Sequence, residues 1–162
     1  MKKFLYLLLL LVGFSTVTVS CSDDNDDPHS GNWFNKKEFT AEPENWGEGS
    51  TIDWWILSMD GNGGSGYDGR FTVRAYNDDG SLVRGANSYS GKYTVDFEQS
   101  RIYVTYDGYS ANAVWNFGDE EYQGWPNWSP NRYIQIPPTE LGELAGLTFY
   151  SGNVFEDPNY NE

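Results

Sequence analysis

The chain has 162 residues, and its 24 acidic residues against ten Lys and Arg give a formal net charge of −14 at pH 7. A nucleic-acid-binding surface needs clustered basic side chains, and so does electrostatic docking onto an anionic membrane, so this acidic chain disfavours both kinds of partner. Roughly 140 residues follow the only cysteine, a length that suits one domain with one buried core.

The first twenty residues predict an export signal. Lys2 and Lys3 precede an apolar run from Phe4 to Phe14, and small residues follow from Ser15 to Ser20. So short an apolar run does not span a bilayer well, and its small, polar downstream flank is typical of a cleaved signal. We therefore expect residues 1–20 to be removed from the exported protein.

Small residues stand immediately before Cys21, in the segment from Thr18. This segment resembles the bacterial lipoprotein signal, which implies that Cys21 becomes the acylated first residue and attaches the protein to a membrane. The acidic run Ser22 to Asp27 resembles the export tag of Bacteroidota-type lipoproteins, which implies display on the outer face of the outer membrane. Two plainer interpretations stay open: a secretory signal cut near Ser20, and an acidic linker that is merely solvated.

Residues 21–31 have almost no apolar side chains and are expected to be an acidic, lipidated tether. Residues 32–162 are expected to form a single all-β domain, because short runs of β-branched and aromatic residues alternate with Gly, Asp, Asn and Pro. The pattern predicts one helical turn or two at Thr139–Leu144, with Thr139 as the N-cap. The predicted strands are Asn32–Phe39, Thr51–Met59, Gly69–Asn77, Ser81–Arg84, Gly91–Glu98, Arg101–Asp107, Ala111–Gly118, Arg132–Pro137 and Gly146–Phe155.

Most of these strands alternate between apolar and polar residues, as in Phe71, Val73 and Ala75 with polar residues between them, which indicates one buried face and one wet face. In the run Ile52 to Met59, apolar residues occupy both the even and the odd positions, which predicts a strand covered on both faces. Tight turns are predicted at Asn77–Gly80 and Glu98–Ser100, so neighbouring strands should pair antiparallel.

Eight or nine antiparallel strands bury their apolar faces either in an up-and-down barrel or in a two-sheet sandwich, and the alternation alone leaves both open. The segment Gly31–Trp33 resembles the Gly-x-Trp opening of lipocalin-like domains, and the stretch from Phe71 to Tyr106 resembles the middle of small lipocalin-like lipoproteins. The resemblance implies the barrel, while the long segment from Trp115 to Arg132 departs from that pattern. We expect a monomer.

Catalytic and metal chemistry find little support in the residue pattern. The single His29 lies in the tether and Cys21 is expected to be acylated, which disfavours a Ser-His-Asp or Cys-His nucleophile and a zinc site. Asp119 and its two acidic neighbours leave a two-carboxylate hydrolase open, although such loops are more often solvated turns. The Asp60–Gly69 segment has oxygen ligands, but Phe71 stands where a calcium loop has its bidentate glutamate, so we predict a flexible connection. No enzyme activity, metal or cofactor is expected.

The high content of aromatic residues is the clearest functional signal. Trp125 and Trp128 lie in a segment that prolines stiffen, close to acidic and amide side chains. Indole faces stack on the C–H faces of sugars while carboxylates and amides bond the hydroxyls. The alternative is that these rings plug an open end of the barrel. Trp33, Trp54 and Trp115 are expected to be core residues. The predicted ligand-binding residues are Trp46, Glu121, Tyr122, Trp125, Asn127 and Trp128.

Three functions from different classes follow. The first is an outer-membrane, surface-exposed lipoprotein that binds a glycan or another small amphipathic ligand without catalysis. The second is a structural or interaction lipoprotein of the cell envelope. The third and least favoured is a small hydrolase.

Overall fold

The structure, a computed structural model, describes residues 34–43, 51–62, 67–110, 112–119, 132–140, 142–153 and 155. Eight strands close into one antiparallel barrel in which each strand pairs with its neighbours in sequence and β8 pairs with β1. This confirms the up-and-down barrel and excludes the two-sheet sandwich. The strands are β1 (Lys37–Ala41), β2 (Trp54–Gly61), β3 (Asp68–Tyr76), β4 (Tyr89–Asp96), β5 (Arg101–Tyr106), β6 (Asn112–Asp119), β7 (Arg132–Gln135) and β8 (Thr148–Ser151).

One of the nine predicted strands, Ser81–Arg84, is wrong. The chain turns at Asn77–Gly80 as predicted, with the Gly80 amide donating to the Asn77 carbonyl at 3.0 Å. Beyond this turn the segment makes only an isolated bridge from Leu82 to Tyr76, and it turns again at Gly85, whose φ of +85° lies in the left-handed region. The sequence from Ser81 to Arg84 therefore continues a long connection instead of adding a strand.

Several predicted bounds change: the strand predicted at Gly146–Phe155, for example, is only Thr148–Ser151. Two of the changes have a cause in the backbone. The predicted strand Asn32–Phe39 is a turn at Phe34–Lys36 before β1 begins, because Lys36 adopts a left-handed φ of +51°. The predicted helix Thr139–Leu144 is only a 3-10 turn over Gly142–Leu144. Gly142 has a φ of +83°, which no residue inside a right-handed helix adopts.

The barrel interior is filled with side chains, as expected when only eight strands close on themselves. Large rings stack through it: Phe71 lies 4.9 Å from Trp115 between ring centroids, in an edge-to-face arrangement. Phe34 sits at the end where β1 enters and makes an edge-to-face contact with Phe117 at 5.2 Å. The fully buried residues of this core include Phe34, Phe39, Trp55, Leu57, Met59, Phe71, Ile102, Trp115, Ile134, Ile136 and Phe149.

Strand β2 is buried on both faces, which confirms the prediction for this run. Trp55, Leu57 and Met59 face the interior, while Trp54 and Ile56 face outward and are still only 5% and 3% exposed. The chain after β8 crosses the outer surface of this region. Its Gly152 amide donates to the Glu38 carbonyl at 2.8 Å, and the Phe155 ring lies 5.8 Å from that of Tyr76.

The strand directions distinguish the two ends of the barrel. We call the end where β1 begins the lower rim; β2, β4 and β6 end there. β1, β3, β5 and β7 end at the other end, the upper rim. Within the described residues no helix has the length and apolar character needed to cross a membrane.

Candidate functional site

A pocket of about 570 Å³ opens at the upper rim, and we refer to it as the rim pocket. The ends of β4, β5 and β6 and the connection from β7 to β8 surround it. Its lining combines aromatic rings with amides, hydroxyls and one carboxylate, a composition suited to a ligand with both apolar and polar faces. The lining residues are Asn87, Ser88, Tyr89, Tyr106, Tyr109, Asn112, Ala113, Val114, Pro137, Thr139, Glu140 and Gly142.

Three tyrosines present rings to this pocket. Tyr106 is the inner ring: it ends β5, points into the barrel and packs edge-to-face on Phe71 at 5.4 Å. Tyr89 and Tyr109 each make an edge-to-face contact with Tyr106, with ring centroids 6.4 Å away. Tyr109 is 60% exposed, so its ring stands at the mouth, while Tyr106 is anchored in the core. A ligand entering from solvent therefore meets a free aromatic face before it reaches the buried one.

The Tyr106 hydroxyl stays protonated at every physiological pH. Burial raises the pKa of Tyr106 well above its usual value, and the nearby carboxylate of Glu140 raises it further. The buried indole N–H of Trp115 lies close enough to lower this pKa slightly, but its geometry completes no hydrogen bond with any described residue. The pocket floor thus carries a neutral phenol that can both donate and accept a hydrogen bond.

Tyr89 connects the pocket wall to the connection between β7 and β8. Burial raises the pKa of Tyr89, and the main chain of Glu143 and the side chain of Asn87 lie close enough to its hydroxyl to lower that pKa by less. Leu144 is 1% exposed and Leu147 6%, so their side chains anchor this connection in the core. The pocket wall is therefore held by the polar surroundings of the Tyr89 hydroxyl and by the buried side chains of Leu144 and Leu147.

The turn that carries Tyr109 is fixed to the outer surface of the barrel. The carboxylate of Asp107 accepts a hydrogen bond from the Ser90 hydroxyl at 2.7 Å and is also paired with Arg70. The hydrogen bond from Ser90 and then the pairing with Arg70 hold the pKa of Asp107 below its usual value. Gly108 completes the turn with a φ of +80°. Tyr109 is therefore presented on a short, tied connection.

We expect Gly142→Ala to damage the pocket wall. A Cβ at this position would stand 2.8 Å from the Tyr89 hydroxyl oxygen, and the φ of +83° disfavours any L side chain. The combined strain should lower the free energy of unfolding by about 1–3 kcal/mol. Urea denaturation measures this loss, with Gly85→Ala as a matched control. Gly85 has a similar φ of +85°, but nothing lies within 4 Å of its added Cβ. Equal losses in the two variants would show that contact with Tyr89 plays no part.

The ligand-binding residues predicted from sequence, namely Trp46, Glu121, Tyr122, Trp125, Asn127 and Trp128, lie outside the described residues, as do Cys21 and Trp33. The strands that flank Trp46 end at the upper rim, whereas those that flank residues 121–128 end at the lower rim. Of the predicted acidic trio, Asp119 is described: it lies at the lower rim, where its carboxylate is 3.7 Å from Nε of Arg132.

The sequence reasoning missed the rim pocket. A signal for it was present, because Asn87 to Tyr89 and Tyr106 to Tyr109 each combine tyrosine with small polar residues next to a strand end. Within an up-and-down barrel, alternate connections share one rim, so these two segments and the one after β7 had to meet.

Within the described ranges no three His, Cys, Asp or Glu side chains are grouped so as to hold a metal ion. Comparisons of the chain with protein-family models, with curated proteins and with solved structures found no match.

Proposed function

We propose that this protein is a lipid-anchored lipoprotein of the outer membrane, displayed on the cell surface, and that it binds a glycan or another small amphipathic ligand without catalysis. The observation that carries the proposal is the rim pocket, in which the rings of Tyr106 and Tyr109 stand beside the side chains of Asn87, Asn112 and Glu140. Aromatic faces suit the apolar C–H faces of a sugar ring, and the amides and carboxylate suit its hydroxyls.

The charge of the chain supports a neutral or cationic ligand over an anionic one. The chain carries 24 acidic residues, and Glu140 adds a carboxylate to the pocket itself. The hydrolase alternative is weaker, because Asp119 sits beside Arg132 at the rim opposite the rim pocket. An acid engaged with a cation and distant from the pocket is poorly suited to proton transfer onto a bound sugar.

The function is tested with purified protein on an array of soluble and immobilised glycans, followed by titration of the best candidates while the intrinsic fluorescence is recorded. The fully buried Trp115 lies 6.2 Å from Tyr106 between ring centroids, so a ligand in the rim pocket should perturb its emission. We expect saturable binding, and we expect soluble neutral glycans to compete with the bound glycan. An array without any bound glycan would contradict the proposal and leave the interaction lipoprotein as the better hypothesis.

We expect Cys21→Ala to release the protein from the membrane fraction. Stable anchoring requires more than one acyl chain, and in a lipoprotein these chains are attached at that cysteine. Detergent phase partitioning of cells that express the wild type and the variant measures the change, with Ser22→Ala as the matched control that keeps the cysteine. Retention of the Cys21→Ala protein in the detergent phase would contradict a lipid anchor at this position.

A further inference from the structure

The ladder between β6 and β7 stops halfway along β6. It joins Asn116 to Gln135 and continues down to Asp119 and Arg132, but β6 itself extends up to Asn112. The Phe117 amide donates to the Ser100 carbonyl at 3.1 Å, so the odd-numbered residues of β6 form main-chain hydrogen bonds with β5. The N–H and C=O of successive residues in a strand point to the two neighbouring strands in turn, so those of the even-numbered residues of β6 point toward β7.

Proline at the next position explains the stop. The register places residue 137 opposite Val114, and a proline there has no N–H to donate. Its carbonyl is turned away and accepts from the amides of Glu140 at 3.0 Å and Gly146 at 3.4 Å. Among the described residues, the N–H and C=O of Val114 consequently have no main-chain partner. Val114 and Pro137 both line the rim pocket, so the open edge belongs to it.

From this edge we infer the class of sugar that binds, an inference that rests on the proposed function. We propose that the ligand is a pyranoside with two adjacent gauche hydroxyls, one of which accepts from the Val114 N–H while the other donates to the Val114 C=O. In an extended residue the amide nitrogen and the carbonyl oxygen lie on the same edge, about as far apart as the oxygens of a gauche diol. Each hydroxyl can donate or accept a hydrogen bond, so the diol can bind with its two hydroxyls in either order.

Other polar groups match this edge less well. The N–H and C=O of one trans amide point in opposite directions, so an acetamido group reaches only one of the two atoms. A peptide strand presents both atoms on one residue, but the open edge runs only from Val114 to the start of β6 at Asn112, which is too short to hold a strand in place. The three tyrosines beside the edge also favour a ring that stacks over a linear chain.

The edge is tested by Val114→Pro, which removes the N–H that faces the pocket together with the valine side chain. A proline is tolerated in a strand where its missing donor is outside the ladder. We expect this variant to retain its circular dichroism spectrum and to bind the glycan identified on the array about tenfold more weakly, the factor for one lost hydrogen bond to ligand. Val114→Ala keeps the main-chain N–H and also loses the valine side chain, so it is the reference against which the tenfold factor is measured. Equal binding by Val114→Pro and Val114→Ala would overturn the inference while leaving the proposed function intact.

A second measurement uses the wild-type protein and does not depend on how a variant folds. The Val114 amide signal is followed by nuclear magnetic resonance during titration with methyl β-D-xylopyranoside, which has adjacent gauche hydroxyls. The same titration is made with 2-methoxytetrahydropyran, the same ring without hydroxyls. We expect both probes to shift the Tyr109 ring signals and only the xyloside to shift the Val114 amide.

Each contrary outcome has a distinct meaning. A xyloside that shifts Tyr109 without Val114 would overturn the diol contact but support sugar binding in the pocket. A xyloside that shifts neither residue, together with an empty glycan array, would overturn the proposed function as well. A shift of the Val114 amide by trialanine but not by the xyloside would overturn the diol and identify the edge as a peptide acceptor.

Discussion

Trp115→Ala should remove a large part of the protein's stability. The side chain is fully buried and packs edge-to-face with Phe71 and Tyr106, with ring centroids 4.9 Å and 6.2 Å away. Truncating a buried Trp costs about 3–5 kcal/mol, because the lost transfer free energy adds to that of the cavity. A domain of this size has roughly 5–15 kcal/mol of stability in total, so one change removes much of it. Urea denaturation followed by circular dichroism measures the loss.

Trp115→Phe is the control for this prediction. It keeps an aromatic ring between Phe71 and Tyr106 and removes an indole N–H that is buried without a hydrogen bond to a described residue. We expect it to lose less than half as much stability as Trp115→Ala. If the alanine variant lost less than about 1 kcal/mol, the packed interior described for this barrel would be wrong, since that is the effect of a typical surface or partly exposed change.

Tyr109→Ala should abolish most of the ligand affinity and leave the fold intact. The ring is 60% exposed at the mouth of the rim pocket, so its removal creates no cavity in the core. Truncation of an anchoring aromatic typically costs about 2–4 kcal/mol of binding free energy, which corresponds to roughly 30-fold to 1,000-fold in affinity. Fluorescence titration with the best glycan from the array measures this change, and thermal unfolding confirms that the fold persists.

Tyr103→Ala is the matched control for the exposed ring. Tyr103 is 41% exposed and lies on β5 as Tyr106 does, but it points outward and is not part of the rim pocket. Its truncation should leave ligand affinity unchanged. Equal losses from Tyr103→Ala and Tyr109→Ala would move the binding surface to the outer wall of the barrel.

The antiparallel strands could be predicted from sequence because their determinants are local, whereas the alternation left the closed barrel and the two-sheet sandwich both open. Alternation along runs such as Phe71 to Ala75 shows which face is buried, and the turn at Asn77–Gly80 joins neighbours in space. The segment Ser81–Arg84, wrongly predicted as a strand, has the same kind of local residue pattern as the observed strands. It fails because Gly85 turns the chain after a single bridge to Tyr76, and glycine gives no sign in sequence of which φ it will adopt.

The rim pocket was harder to predict because it depends on register. Tyr106 reads as an ordinary strand aromatic, and only the closed strand order shows that it ends at the same rim as Tyr89. Pro137 follows the end of β7 in the sequence, yet its effect falls on Val114 of the neighbouring strand β6. That effect is visible only when the pairing of β6 with β7 is known residue by residue. Residue propensities predict single strands and turns, whereas the rim pocket depends on how several strands are paired and ordered in the barrel.

The entry of β1 at the lower rim has a mechanical consequence. If Cys21 holds the chain to a membrane and a glycan in the rim pocket belongs to a larger polymer, tension between them runs from one rim to the other, along the strands. The hydrogen bonds of an antiparallel ladder lie perpendicular to the strands, so such a pull loads those of β1 in shear, all at once instead of one after another. β1 has five paired positions on β2 and two on β8 to share that load. Under a pull in this direction, β1 would therefore resist extraction better than a strand whose hydrogen bonds open one after another.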